Sequence, residues 1–321
     1  MKRKMLALLC VVVMTSMLFA AGVAETSKGS FPEKTISLIC PFAPGGGTDA
    51  LARKLAEIVE KQSGAKIIVE NKTGGSGAVG MGAGAAAKPD GYTVTMTTVE
   101  VVLLPSAKLA SFKPSDFKGI IRVNFDPAAL IVRTSNPANT LQQFIENAKA
   151  ATRATSVNVS AFPTNYWLTG AMLKEISGAN LNLVEEPQGA AQEIANLLGN
   201  HVDAIICTMA EVAQYVASGD FKILAVASGA RNKTFPNVPT FNESGYDIEV
   251  GTWRGFMVPN QTPADIVATL DSMFTKAYES QEFHDFLSKM GFGEGYLNSN
   301  DFAQLIQRQT AQYEPIIAKY I

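Results

Sequence analysis

From Thr35 onward, short apolar runs alternate with stretches whose apolar residues return every three or four positions. Thr35–Pro41 reads as a strand, and Thr48–Ser63 as a helix in which Leu51, Leu55, Ile58 and Val59 form one stripe. Lys66–Glu70 is a second strand, Asn71–Gly77 a turn-rich loop, and Ala78–Ala87 a helix of small residues able to pack very closely. Pro89-Asp90-Gly91 is a turn leading into a third strand, Tyr92–Thr98. A second series opens at Ala128–Arg133. Its strands fall at Ser156–Ser160, Leu181–Val184, Val202–Thr208 and Lys222–Ser228; its helices fall at Leu141–Ala151, Tyr166–Ile176, Ala190–Leu198 and Ala210–Ala217. After the run Thr252–Pro259 come three helices, Pro263–Ser280, Gln281–Met290 and Asp301–Tyr320. Strand–helix–strand repetition predicts an α/β fold with parallel sheets and crossover helices. No fixed period suggests a solenoid.

With 321 residues, two domains are expected rather than one. The 27 Lys+Arg and 29 Asp+Glu nearly balance, which weighs against a nucleic-acid partner. The N-terminus carries Lys2, Arg3 and Lys4, an apolar run from Met5 to Ala21, then small residues through Gly22 and Ala24. That is the pattern of a secretory signal peptide cleaved near Ala24. As a membrane anchor the run of about 17 residues would be at the lower limit of length, and Thr15 and Ser16 interrupt it. The mature chain is therefore expected to be soluble and periplasmic or otherwise extracytoplasmic. It keeps 24 Lys+Arg against 29 Asp+Glu, so any attraction for an anion must be local. Cys40 and Cys207 each lie in an apolar run and are expected as buried thiols, with pairing in an oxidising compartment as the alternative.

The most informative string, Pro41 to Asp49 (PFAPGGGTD), joins a strand to a helix. Its glycines let backbone amides approach a ligand, and the first turn of the helix favours an anion. Three readings stand: a tight turn without a ligand, a loose dinucleotide fingerprint (Gly45-x-Gly47-x-x-Ala50 with Glu70), or a carboxylate seat. Pro44–Leu55 aligns without gaps on Pro187–Leu198, both reading P-x-G-x-x-x-x-(L/I)-A-x-x-L. Two helix N-termini facing one cleft, one from each lobe, would let a dicarboxylate bridge the lobes.

PFAPGGGTD with LARKLAE, IIVENKTGGSGAVG, KPDGYTV and NVPTFNESGYDIEVGTWRGFMVPNQTP, in that order, resemble the substrate-binding proteins of tripartite tricarboxylate transporters, the Bug-type receptors. The resemblance runs from about Phe31 to Ile321. It implies a type II periplasmic-binding fold: two lobes, each a mainly parallel sheet flanked by helices, joined by two crossovers near Phe125–Arg133 and Gly251–Pro259. Lobe one would comprise residues 25–125 and 253–321, and lobe two residues 126–252. It also implies a small carboxylate held between the lobes, membrane permease subunits as partners, a monomer, and no cofactor, metal or catalytic residue. The expected ligand-binding residues are Phe42, Ala43, Gly45, Gly46, Gly47, Thr48 and Asp49 on the first loop, then Ser76, Thr97 and Thr98. Opposite them stand Ser160, Asn165, Gly189, Ala190 and Ala191, with Trp253 at the second crossover. Asn71 and Gly74–Gly77 match the second cleft loop.

Two departures from the family pattern concern lobe two. Ser160-Ala-Phe-Pro163-Thr-Asn165-Tyr-Trp167 replaces a segment that usually ends in His, and Glu185-Glu186-Pro187-Gln188 places two carboxylates beside the second turn. They are either solvated or turned inward, where they would meet a ligand ammonium or repel further carboxylates. The rival class is an exported hydrolase. His201 and His284 are the only histidines, and neither neighbours a G-x-S-x-G or H-E-x-x-H motif.

Overall fold

A computed structural model describes residues 31–321; the expected leader and its cleavage site lie outside the described residues. Strand β1 (Ile36–Cys40) lies between β2 (Ile67–Asn71) and β3 (Thr93–Thr98) and is parallel to both. Its first link, α1 (Gly47–Ser63), buries Leu51, Leu55, Ile58 and Val59 and stops at Gly64, whose left-handed backbone (φ 75°) returns its N–H to Glu60. The second, α2 (Ala78–Ala85), is built from small residues because it rests almost backbone to backbone on the sheet. A Cβ on Gly80 would stand 2.6 Å from the Lys72 carbonyl oxygen. A short helix, α3 (Glu100–Ser106), follows β3.

Strand β4 (Phe117–Arg133) is 17 residues long and belongs to two sheets. The strand expected at Ala128–Arg133 is its second half. Next come α4 (Leu141–Ala150), β5 (Thr155–Ser160), α5 (Asn165–Ser177), β6 (Leu181–Glu186), α6 (Ala190–Leu198), β7 (Ala204–Thr208), α7 (Met209–Ala217) and β8 (Phe221–Val226). Thr140 and Thr164 start α4 and α5 as N-caps, accepting from the amides of Gln143 and Trp167. β6, β5 and β7 are parallel neighbours, while β4 runs antiparallel between β7 and β8.

The chain returns through β9 (Gly251–Pro259), then α8 (Ala264–Tyr278), α9 (Gln281–Met290), β10 (Glu294–Leu297) and α10 (Ser299–Ile317). β9 runs antiparallel between β3 and the first half of β4. The result is two lobes with strand orders β2-β1-β3-β9 and β6-β5-β7-β4, continuous through the paired crossovers β4 and β9.

Alternation along the strands assigns the helical layers. In β9 the Trp253 ring meets Phe302 of α10 edge-on at 5.2 Å, while Phe256 meets Phe274 of α8 at 4.8 Å from the other face. In β4, Leu130 and Val132 join a core with Leu141, Phe144, Leu168 and Met172. Ala129 and Ile131 instead join Ile194, Leu197, Cys207 and Val212. Side chains such as Phe302 and Trp253, with no exposed surface, contribute about 1.5–3 kcal/mol each through burial. Cys40 and Cys207 are both buried free thiols. Among the described residues no helix is long and apolar enough to cross a membrane.

Candidate functional site

Strand register sets the carboxyl ends of the two parallel groups against each other. Thr98, the end of β3, pairs with Arg254, which pairs with Asn124 of β4. Thr208, the end of β7, pairs with Ala128 of the same strand. The two edges are thus separated along the crossover by the stretch from Asn124 to Ala128, ~13 Å at ~3.3 Å per residue. In sheets of this kind ligands bind outside the carboxyl ends of the strands.

On the first-lobe edge, the loop after β1 is pinned by side chains. Asn71, at the end of β2, donates through Nδ2 to the Phe42 carbonyl (2.9 Å) and to Asp49 Oδ1 (2.8 Å). Asp49 also accepts from the Gly45 amide at 2.9 Å and from Arg53 Nε at 3.0 Å. Burial opposes its ionisation, but the bonds from Arg53, Asn71 and Gly45 outweigh that and hold the carboxyl below its ordinary value. Asp49 is therefore spent on its own loop. The amides of Gly47, Thr48 and Asp49 precede the first helical bond, Ala50 to Gly46, and no side chain caps them. The turn carrying Ser76 lies alongside, since a Cβ on Gly77 would meet the Phe42 ring at 3.2 Å. Thr97 and Thr98 are both buried; Thr97 Oγ1 bonds the Gly255 carbonyl (3.4 Å), and Thr98 Oγ1 bonds Glu100.

Behind this loop stands Arg254. Its Nε donates to Thr48 Oγ1 (3.0 Å) and its Nη1 to Asp126 Oδ2 (3.2 Å), with the guanidinium 4.9 Å from the centre of the Phe292 ring. Only 12% of the Arg254 side chain and 15% of that of Asp126 are exposed. Asp126 further accepts from the Gly293 amide (2.7 Å) and from Asn124 Nδ2 (2.9 Å). Even so, burial pushes its pKa up, as it does that of Glu100. A Cβ on Gly47 would lie 2.9 Å from Phe292 Cζ, so any larger residue there must displace this ring.

On the second-lobe edge, Asn165 in the first turn of α5 donates to Thr252 Oγ1 at 3.1 Å. Thr252 and Arg254 share one face of β9, so that strand links the starts of α1 and α5. Gly189 precedes α6 with φ 83°, a backbone that only glycine adopts without strain, and no side chain caps that helix. Ser160 Oγ bonds Glu193 Oε1 at 2.9 Å. The two P-x-G turns are not topological equivalents: α1 follows the central strand of its group, whereas α6 follows the outermost strand of the other. The counterpart of α1 is α5, which unlike α1 is capped, by Thr164.

Both edges therefore gather the expected residues, with two placements to note. Asp49 is engaged within its loop. Trp253 has no exposed surface, and its indole N–H donates to Gln309 Oε1 at 3.0 Å, so it packs against α10. Arg254, Asp126 and Glu193 escaped the sequence reading, although a lone charge inside an apolar run, as in Gly251–Pro259, was a usable signal. His201 is exposed, and His284 contacts Glu294 at 3.2 Å. A cavity of about 950 Å³ lies elsewhere, between Pro105, Phe117, Met257 and Ile306.

Residues 51–320 match the family model described as the tripartite tricarboxylate transporter family receptor. BugT of Bordetella pertussis is 29% identical over 81% of this chain and 82% of its own length. A crystal structure of a TctC solute binding protein from Polaromonas superposes with a TM-score of 0.85 at 36% identity, covering 90% of this chain and 100% of the other. MatC from Rhodopseudomonas palustris, solved with bound malate, gives a TM-score of 0.68 at 25% identity, covering 89% of this chain and 100% of its own. The chain belongs to the tripartite tricarboxylate transporter family of receptors.

Proposed function

We propose that the chain is an exported receptor that closes its lobes on a small carboxylate and presents it to the permease subunits of a membrane transporter. The carrying observation is that the carboxyl edges of the two lobes face each other across ~13 Å, with an uncapped helix N-terminus on each, α1 on one and α6 on the other. In this reading the lobes are residues 25–125 with 253–321, and 126–252, hinged where β4 and β9 run side by side. The carboxylate rests on Phe42 to Thr48, flanked by Ser76, Thr97 and Thr98. The far end of the ligand meets Ser160, Asn165 and Gly189 to Ala191. Asp49 holds the first loop in shape, and Trp253 anchors the crossover from behind. The malate bound by MatC supports the ligand class.

Charge-assisted hydrogen bonds contribute ~1.5–3 kcal/mol each. Several of them reach the ~8 kcal/mol of micromolar binding. No bond in the ligand is made or broken; function is a shift between open and closed populations. Calorimetry and thermal melting of ligand-stripped protein against a panel of di- and tricarboxylates and acidic amino acids test this. Saturable binding of at least one is expected, and folded protein that ignores every carboxylate overturns the reading. Mass spectrometry of secreted protein checks cleavage near Ala24, and size-exclusion chromatography checks the monomer.

A further inference from the structure

The second-lobe edge carries acidic groups with no cation beside them, whereas on the first Asp126 is paired with Arg254. Glu186 ends β6 in register with Ser160 at the end of β5. Glu193 stands in the first turn of α6 and Glu211 in the first turn of α7. Glu193 is wholly buried; its Oε1 accepts from Ser160, while its Oε2 is buried without any partner. The charged neighbours of that carboxyl are Glu211 and Glu186. Glu186 accepts from the Gln188 amide and from Asn196 Nδ2, and Glu211 from the Thr208 amide and hydroxyl and the Tyr166 hydroxyl. All these donors are neutral. None of Glu185, Glu186, Glu193 and Glu211 enters an ion pair among the described residues. Nor does any group of three such side chains there converge closely enough to hold a metal ion.

We propose that this edge receives a positively charged nitrogen, so that the captured solute carries an amine as well as its carboxylate. This rests on the carboxylate-receptor reading and narrows its ligand class. The two ends of the ligand then meet opposite fields: uncapped amides on one side, carboxylates without a cationic partner on the other. A second carboxylate on the ligand would instead approach a like charge.

Burial first, then Glu211 and Glu186, pushes the Glu193 pKa up to about 8, against the hydrogen bond from Ser160. Around neutrality its carboxyl is mostly protonated. The groups facing it are Ser160 from β5, Glu186 from β6, Cys207 from β7 and Glu211 from α7, with Tyr166 of α5 reaching Glu211. An arriving ammonium favours the ionised carboxylate, so binding expels a proton.

The test is calorimetry on the mature protein with matched pairs that differ only in the amine: succinate and aspartate, glutarate and glutamate, pentanoate and 5-aminopentanoate. In at least one pair the amine member is expected to bind 10-fold or more tighter. Titration at pH 7 in buffers of differing ionisation enthalpy should then show release of roughly one proton per ligand. Glu193→Gln, checked for folding by its melting curve, should abolish that release and narrow the preference. A desamino member binding as tightly as its partner in every pair, or tighter, overturns the proposal while leaving the receptor reading intact. Binding by no member of any pair removes both.

Discussion

Arg254 gives the sharpest test of how the crossover supports the first-lobe loop. Replacing it with Met keeps much of the aliphatic stem but removes the guanidinium over Phe292 and the donors to Thr48 and Asp126. Asp126, 15% exposed in its side chain, is then a carboxylate whose cationic partner is gone. Breaking a buried pair in this way costs about 3–5 kcal/mol, more than the ~1 kcal/mol of an ordinary hydrogen bond. Asp126→Asn removes the stranded charge, so the double variant should recover about 2 kcal/mol or more relative to simple addition of the two single losses. The pH dependence follows from the sign of the shift. Burial already raises the Asp126 pKa in the folded protein, so this group favours folding most below its unfolded value, and that contribution fades as pH rises. Without Arg254 the shift grows, and the Arg254→Met loss should be larger at pH 8 than at pH 4. Urea unfolding of the four proteins at both pH values measures this. Additive losses, or an Arg254→Met cost below about 1 kcal/mol at pH 8, would refute the pairing argument.

Gly47→Ala should destabilise by about 1–3 kcal/mol and weaken ligand binding, because its Cβ meets the Phe292 ring; Phe292→Leu should relieve part of the loss in thermal melts. Glu193, with its pKa raised to about 8, favours folding below about pH 4.5 and progressively costs stability as pH climbs to 8. Glu193→Gln should therefore melt above the parent at pH 9, by an energy on the order of 4 kcal/mol, and not at pH 4. Asp203 behaves oppositely: Arg153 first, then Ser156, lower its pKa to about 2, so its stabilisation is present above pH 3.8 and disappears as pH falls towards 2. Arg153 is largely exposed and solvent screens the pair, so Asp203→Asn should cost only about 1 kcal/mol at pH 7, with a smaller difference from the parent at pH 3 in urea titrations.

Periodicity revealed the elements whose apolar residues all meet one layer. α1 and α9 were legible because each buries a single stripe, and the ordered motifs identified the loops at the strand ends. What the pattern hid was shared structure. β4 runs through both lobes, and its first half, Phe117 to Pro127, mixes Lys118, Arg122, Asn124 and Asp126 with apolar residues and looks like no strand taken alone. α3 is two turns long with Pro105 inside it, and β10 has only 4 residues, both too short for a period to register. At the site, backbone seats were legible because glycine and proline mark turns locally. Arg254 and Asp126 become partners only through the antiparallel crossover, 128 residues apart in sequence, and local spacing carries no trace of that. The repeated P-x-G string was a real likeness of two turns but not of two positions in the fold.

The last helix does more than cover the first lobe. α10 starts with Ser299 bonded to the Gly119 carbonyl and Phe302 wedged beside Gly119 and Gly255. The 3-10 turn that follows it, Ala318–Tyr320, reaches α5, where Lys319 pairs with Glu175 and the Tyr320 ring meets Trp167 edge-on at 4.8 Å. Two halves joined only by a pair of antiparallel ribbons can both bend and swivel about them. A third contact, fastened away from the ribbon axis, opposes the swivel more than the bend. In the proposed receptor each closure would then bring the same residues face to face, with the exposed Lys319–Glu175 pair adding no more than about 1 kcal/mol to the outer contact.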